Sequence, residues 1–271
     1  GVHEAAENAA ENGAEKDGRS ADGRSASSVF YVSADGSDRS GDGSREFPYA
    51  SVQKAYDEVE ISGQIVVSGT VVIEDYMDIL RFTEDKSVRI TGENEGCIIY
   101  DGDQNIDPDS AVMNVSAGSV ELSDITVKMP DIRGKNGRVL YVSETAEVTV
   151  GEGTVIENGY LASSSGNLFV AGGGTVTLEG GTIRNGYLAI SNADAYGAGV
   201  FVGPGGTFLM KSGEITGNTA RTTVSSYRTY GGGAAVMAGG TFVMTGGKIS
   251  GNEAETGGGG FYIQNGASVT L

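Results

Sequence analysis

The sequence predicts an all-β fold, a parallel β-helix whose front end is covered by one amphipathic α-helix. Three observations predict it. An alternating apolar pair recurs about once every 30 residues. Glycine and asparagine separate short β-branched runs, as expected at the corners of stacked coils. Only one segment has helical periodicity, and it precedes the repeats.

Length and composition limit the classes of function. The chain has 271 residues with 38% hydrophobic content, enough for one elongated domain with a sizeable core. A net charge of −18 repels nucleic acid and anionic lipid, so we expect neither as a partner. No apolar run approaches the roughly 18 residues of a membrane span, which argues against direct membrane insertion. The single cysteine, Cys97, lies in an apolar run and is expected to be a buried thiol.

The sequence divides into three parts. Residues 1–28 carry almost no apolar side chains and are expected to form a disordered linker. Residues 29–63 are expected to form the N-terminal cap, which comprises a strand, a polar loop and the helix. The helix has Ser51 as its N-cap, and Gly63 lies just beyond its expected end. Its apolar face consists of Val52, Ala55, Tyr56 and Val59.

Residues 64–271 are expected to form the coils. The recurring pair occurs as Val120/Leu122, Val148/Val150, Val176/Leu178, Phe208/Met210, Phe242/Met244 and Val269/Leu271. The spacings of 28, 28, 32, 34 and 27 residues suit a solenoid, in which insertions leave the coil without disturbing the stack. Propeller blades would need about four antiparallel strands with hairpin turns, and such signals are weak here.

Each coil is expected to hold three short strands. A second apolar anchor follows the pair by five residues, at Val155, Ile183, Ile215 and Ile249. An asparagine turn comes next, at Asn158, Asn185, Asn218 and Asn252. Asparagine tolerates the left-handed conformation, and its amide can stack on the next coil, so we expect one residue to do both. A further strand precedes each pair.

The last coil is expected to be cut within the solenoid. Residues 267–271 repeat the pattern of residues 174–178 and then stop without a turn or a polar cap. Strand edges that lack a partner invite pairing with another chain. We therefore expect end-to-end self-association.

Two segments carry a resemblance to known families. Residues 29–38, Val-Phe-Tyr-Val-Ser-Ala-Asp-Gly-Ser-Asp, with residues 47–55, Phe-Pro-Tyr-Ala-Ser-Val-Gln-Lys-Ala, resemble the front cap of right-handed parallel β-helix proteins related to pectate lyases. Residues 239–252, Gly-Gly-Thr-Phe-Val-Met-Thr-Gly-Gly-Lys-Ile-Ser-Gly-Asn, resemble the Gly-rich repeats of large adhesin-like surface proteins of gut bacteria and archaea. The resemblance implies a right-handed solenoid and an extracellular or cell-surface location. It says little about activity, because lyases, hydrolases and inert stalks share the fold.

Enzymes of this fold are similar to one another in placing carboxylates with Lys or Arg on outward positions of adjacent coils. The outward positions between the paired anchors are Glu121, Thr149, Thr177, Leu209, Val243 and Thr270. They offer no stacked carboxylates for general acid and base roles. We therefore expect a non-catalytic surface module, an adhesin or stalk segment. The alternative is the N-terminal part of a polysaccharide lyase or glycoside hydrolase, with its active site beyond Leu271 or on coils not registered by the pattern.

Two acidic loops are candidate calcium sites. One contains Asp101, Asp103, Asp107 and Asp109, and the other contains Asp35, Asp38 and Asp42. Calcium needs six to eight oxygen ligands, and neither spacing matches an EF-hand. We expect at most weak Ca²⁺ binding at the first loop and no other cofactor.

Three inserts leave the coils soon after the asparagine turns, at residues 160–165, 187–196 and 219–230. In a stacked solenoid they must emerge from one edge and form a continuous ridge. The ridge also contains Tyr160 and Tyr187, and its mixture of flat rings and hydrogen-bonding groups suits a glycan or a host or cell-surface protein. The residues expected to bind are Tyr196, Tyr227, Tyr230, Arg221, Arg228, Asn192 and Asp194. The alternative is that the tyrosines fold back and cover the coils.

Overall fold

A computed structural model describes residues 27–131, 135–161 and 166–271. Nearly all of its regular structure is β-strand, and its long-range strand pairs are parallel, as a β-solenoid requires. Residues 1–26 of the expected linker lie outside the described residues. Ser28 already belongs to the first strand, Ser28–Ser33.

The coils have three faces. The first face consists of Ser28–Ser33, the first halves of Ser62–Ile73 and Ser87–Tyr100, Ser119–Ser123, Glu147–Gly151, Thr175–Glu179, Thr207–Met210, Thr241–Met244 and Ser268–Thr270. The second consists of the second halves of the same two long strands, Thr126–Lys128, Val155–Glu157, Thr182–Arg184, Glu214–Thr216 and Lys248–Ser250. The third consists of Leu80–Phe82, Ala111–Val115, Arg138–Val142, Leu168–Val170, Val200–Val202, Ala234–Val236 and Phe261–Ile263.

The alternating pair forms the inward ladder of the first face. Val120 and Leu122 align with Val148 and Val150, and the same register continues to the last coil. The ladder also extends toward the front, to Val88 and Ile90. Most of these side chains are fully buried in one continuous core. The prediction of a parallel β-helix is therefore confirmed.

One anchor of the second face was assigned to the wrong residue. Ile156, not Val155, aligns with Ile183 and is fully buried, while Val155 pairs with Thr182 and is half-buried. The corner between the first and second faces is one residue longer in this coil, because Ile156 follows Val150 by six residues whereas the equivalent anchor in later coils follows the pair by five.

The asparagine turn consists of two positions with separate roles. Asn158 and Asn185 have positive φ of 66° and 57° and occupy the left-handed corner, which Gly217 and Gly251 fill in later coils. Asn218 lies one position further on, where its buried side chain stacks between neighbouring coils. Its Nδ2 donates to Asn252 Oδ1 at 2.9 Å, and its Oδ1 accepts from Asn167 Nδ2 at 3.0 Å.

One α-helix, Val52–Glu58, covers part of the front end, and a short 3₁₀ helix, Tyr76–Asp78, follows the first long strand. Ser51 is the N-cap as expected, since its side chain accepts from Lys54 N at 3.1 Å. Tyr56 is buried and stacks on Phe82 at 4.3 Å between ring centroids. The helix ends at Glu58, so Gly63 lies inside the first long strand.

At the far end, apolar side chains become exposed. Ile263 is 49% exposed and Leu271 is 76% exposed, whereas equivalent inward residues of earlier coils are buried. In the part of the chain that the structure describes, no helix is long and apolar enough to cross a membrane.

Candidate functional site

The inserts emerge from one edge of the solenoid and pair with one another. Their first strands, Tyr160–Leu161, Tyr187–Ile190 and Thr219–Thr222, form a four-stranded parallel sheet together with Glu253–Ala254 of the next coil. A second pair, Ala195–Tyr196 with Thr229–Tyr230, continues the ridge. Residues 162–165 of the first insert lie outside the described residues. The small apolar side of the sheet, with Leu161, Leu188 and Ala220, is buried in a core of its own.

Two tyrosines stand in register on the outer side of this ridge sheet. The rings of Tyr160 and Tyr187 are 5.8 Å apart between centroids and nearly parallel, with 2° between their planes. A shallow groove of about 280 Å³ runs beside them, and the left-handed corners Asn158 and Asn185 contribute to its lining together with Asp131. Each of two successive coils thus presents one aromatic ring and one amide on the same groove.

Tyr196 and Tyr230 form a different cluster. Their rings stack at 5.4 Å, and both contact Tyr262 of the third face, at 5.2 and 4.8 Å. Burial, with the nearby Asp194 carboxylate next in importance, raises the pKa of Tyr196. All three rings are half-buried. Tyr262 was not predicted, although its place in the strand equivalent to that of Phe201 could have suggested it.

The remaining candidate residues divide between two places. Asp194 Oδ1 accepts from the backbone N of Arg228 at 2.7 Å, which ties the second insert to the third next to the Tyr196 cluster. Arg221 instead pairs with two carboxylates, Glu253 at 2.8 Å and Glu255 at 3.3 Å. The seven predicted residues therefore do not form one group. Asn192 and Arg228 are exposed, and Tyr227 is half-buried.

An aromatic ladder on the outside of the third face was not predicted. Tyr141, Phe169 and Phe201 stack at 5.1 and 4.9 Å between successive centroids. The guanidinium of Arg138 lies 4.8 Å from the Phe169 ring centroid and donates to Pro108 O at 2.7 Å. Burial lowers the pKa of Arg138 to about 10. Neighbouring rings cover one another's faces, which indicates a structural role for the ladder.

The aspartate loops serve the fold. Asp101 lies 3.4 Å from Lys135 Nζ, and Asp107 Oδ1 accepts from Asp109 N at 3.0 Å. Asp38 accepts from the backbone N of Ala50 at 2.8 Å. Across the described ranges, no three acidic, histidine or cysteine side chains lie close enough to hold a metal ion. The aspartates of the first loop, Asp101, Asp103, Asp107 and Asp109, therefore form no such group, and weak Ca²⁺ binding there stays a prediction.

The first face brings together charged groups of which the sequence pattern identified only Glu121. A groove of about 400 Å³ is lined by Arg89, Glu121 and Glu147 on successive coils. Arg89 pairs with Glu121 at 2.5 Å, and this pairing raises the pKa of Arg89. The pattern considered only the outward position between the paired anchors. Glu147 stands at the outward position just before the pair, in line with Ser119.

Comparisons with known proteins give no relative: no family model matches the chain, and neither the curated proteins nor the solved structures yield a match.

Proposed function

We propose that this chain is a non-catalytic module of the cell surface or extracellular space that binds a glycan or a protein partner along its ridge. The observation that carries the proposal is the groove beside Tyr160 and Tyr187. It combines in-register aromatic rings with the amides of Asn158 and Asn185, and it repeats from one coil to the next. Flat apolar rings next to hydrogen-bonding groups are suited to sugar rings and to protein hot spots.

Two further features support the proposal. The inserts differ in length while the coils that carry them keep their register, which is how a rigid scaffold carries a variable recognition surface. The resemblance of residues 239–252 to the repeats of adhesin-like surface proteins is consistent with the proposed extracellular location.

The test is binding to a glycan and cell-surface protein panel, compared with thermal stability. We expect Tyr160→Ala/Tyr187→Ala to weaken binding at least about tenfold while the melting temperature changes little, because both rings lie on the outer side. The predicted set is tested in parallel with Tyr196→Ala/Tyr227→Ala/Tyr230→Ala. Unchanged binding in both variants, with a large fall in melting temperature, would leave the tyrosines as cover for the coils and end the proposal.

A second candidate is the N-terminal part of a polysaccharide lyase or glycoside hydrolase. The groove with Arg89, Glu121 and Glu147 favours it, since two carboxylates and an arginine on adjacent coils are the groups such chemistry uses. Turnover of a polyuronate or neutral polysaccharide by the intact chain, lost in Glu121→Gln and Glu147→Gln, would support this candidate. Activity that persists in both variants would exclude the groove as its site.

A further inference from the structure

The front edge of the solenoid is covered on two of its three faces. On the first face, strand Ser28–Ser33 pairs with the first half of Ser62–Ile73. On the third face, Gln53 of the helix takes the place of a strand. Arg81 N donates to Gln53 Oε1 at 2.8 Å, and Gln53 Nε2 donates to Arg81 O at 3.1 Å. On the second face, none of the described strands pairs with the front side of residues 70–73.

This free edge has backbone groups available for pairing. Ile73 O accepts from Asp101 N of the next coil at 3.0 Å, so Ile73 points its backbone groups backward. Backbone direction alternates along a strand, and Thr70 and Val72 therefore direct their N–H and C=O groups to the front. Both residues are exposed.

A cavity of about 760 Å³ lies against the free edge, between the helix and the 3₁₀ turn. Its apolar lining includes Val52, Val71, Val72, Ile73, Met77 and Ile79. Val72 is 45% exposed and Met77 is 70% exposed, so apolar surface is open to solvent at its mouth. The flexible Met77 side chain can repack around different occupants.

The rim of the cavity is acidic. Asp57, Glu74 and Asp78 are exposed carboxylates in its lining. The two cations of the lining are engaged within the chain. Lys54 pairs with Glu58, and Arg81 donates to the backbone oxygens of Met77 at 2.9 Å and Ile79 at 3.1 Å. The lining thus has four carboxylates, Asp38 included, against two cations, and a basic occupant is complementary in charge.

We propose that this front site binds an extended, basic peptide segment of a partner protein, which adds a strand in front of residues 70–73. Strand addition supplies main-chain hydrogen bonds, and alternate side chains of the peptide then enter the cavity. Apolar residues at every second position fill the cavity. Lysines or arginines between and beside them meet Asp57, Glu74 and Asp78.

The probe is a fluorescein-labelled peptide, Lys-Leu-Lys-Val-Lys-Ile-Lys, titrated with the full chain and followed by fluorescence anisotropy. Val72→Lys and Met77→Lys place a charge at the mouth and are expected to weaken binding at least about tenfold. The matched control is Val224→Lys, which changes an exposed valine of the third insert and should leave binding unchanged. Melting curves establish that each variant is folded.

Two N-methylated peptides test the hydrogen bonds. One peptide is methylated at the odd-numbered backbone nitrogens and the other at the even-numbered ones. One of the two therefore loses the donors that face residues 70–73, and the other loses the donors that face solvent. We expect one set of methyl groups to abolish binding and the other to leave it intact. If both methylated peptides bind equally well, charge attraction alone explains the binding and the proposal is overturned. It is also overturned if Val72→Lys binds the unmethylated peptide as tightly as the parent chain does. A loss of self-association in Met77→Lys without peptide would assign the site to a second copy and also overturn it.

Discussion

At the residue scale, buried amides hold neighbouring coils in register. Asn218 is fully buried, and its Nδ2 donates to Asn252 while its Oδ1 accepts from Asn167 and from the backbone N of Gly186 at 2.8 Å. Buried polar groups of this kind add little net stability when satisfied but cost much when a partner is removed. Asn185, at the corner, instead supplies a left-handed backbone.

Asn218→Ala is expected to lower the free energy of unfolding by about 2 to 4 kcal/mol, because Asn167 Nδ2 and Gly186 N both lose their acceptor. The matched control is Asn185→Gly, which keeps the left-handed corner and should be within about 0.5 kcal/mol of the parent chain. Urea denaturation followed by circular dichroism measures both. A smaller effect for Asn218→Ala than for Asn185→Gly would contradict the amide ladder.

Cys97 is expected to resist alkylation in the folded chain. The thiol is buried, and burial raises its pKa, so the folded chain holds less thiolate at a given pH than the unfolded chain does. Iodoacetamide labelling at about pH 8, followed by mass spectrometry, should be slow without denaturant and fast in urea. Equal rates in the two states would place the thiol at the surface.

The two corner roles show where sequence reasoning stops. The recurrence of asparagine predicted both the left-handed corner and the amide stack, and both are present. The pattern could not assign them to different positions, because Asn158 and Asn218 look equivalent until the coils are aligned. The same limit misplaced the anchor at Val155, since a one-residue change in corner length is invisible without the strand register.

At the element scale, the helix stabilises the front of the core through one large aromatic contact. Tyr56 stacks on Phe82, its hydroxyl accepts from Glu84 N at 3.0 Å, and Lys86 Nζ donates to Tyr56 O at 3.2 Å. The amphipathic spacing predicted the buried face correctly. It could not predict that Gln53, on the polar side, would pair with the edge of Leu80–Phe82, because that contact depends on how the helix lies across the coil.

Tyr56→Ala is expected to cost about 3 to 5 kcal/mol, and Tyr56→Phe about 1 kcal/mol, since the conservative change keeps the ring and removes only the hydroxyl. Hydrogen exchange should locate the damage. Tyr56→Ala should lose protection first in Ser62–Ile73 and Leu80–Phe82. Uniform loss along the whole solenoid, or equal costs for the two variants, would argue against a local capping role.

The ridge could be predicted as a location but not as a set of contacts. The recurring inserts identified the edge from which they emerge. Arg221 pairs with Glu253 and Glu255, while Tyr196 meets Tyr262. The second and third inserts differ in length, so they pair along their first strands, separate, and pair again at Ala195–Tyr196 and Thr229–Tyr230. These contacts depend on how the inserts align with one another. The insert sequences do not repeat, so this register could not be predicted.

At the scale of the whole molecule, the last coil presents an apolar end. Ile263 and Leu271 are exposed there, next to strands that pair on one side only. We expect this 271-residue chain to associate through that end. Light scattering over a concentration series should show a rising mass, and Ile263→Lys should reduce it. A strictly monomeric species at high concentration would exclude such association.

Cysteine cross-linking measures whether the inserts stack in register on one edge of a parallel solenoid. In a Cys97→Ser background, Ala189→Cys/Arg221→Cys joins aligned ridge positions, and Thr177→Cys/Leu209→Cys joins aligned positions of the first face. Neighbouring parallel strands lie about 4.8 Å apart, close enough for a disulfide. We expect mild oxidation to cross-link both pairs. The control, Ala189→Cys/Glu253→Cys, places the cysteines two coils apart and should form no disulfide. Cross-linking of the first-face pair alone would show that the coils stack but that the inserts do not form a ridge sheet in register.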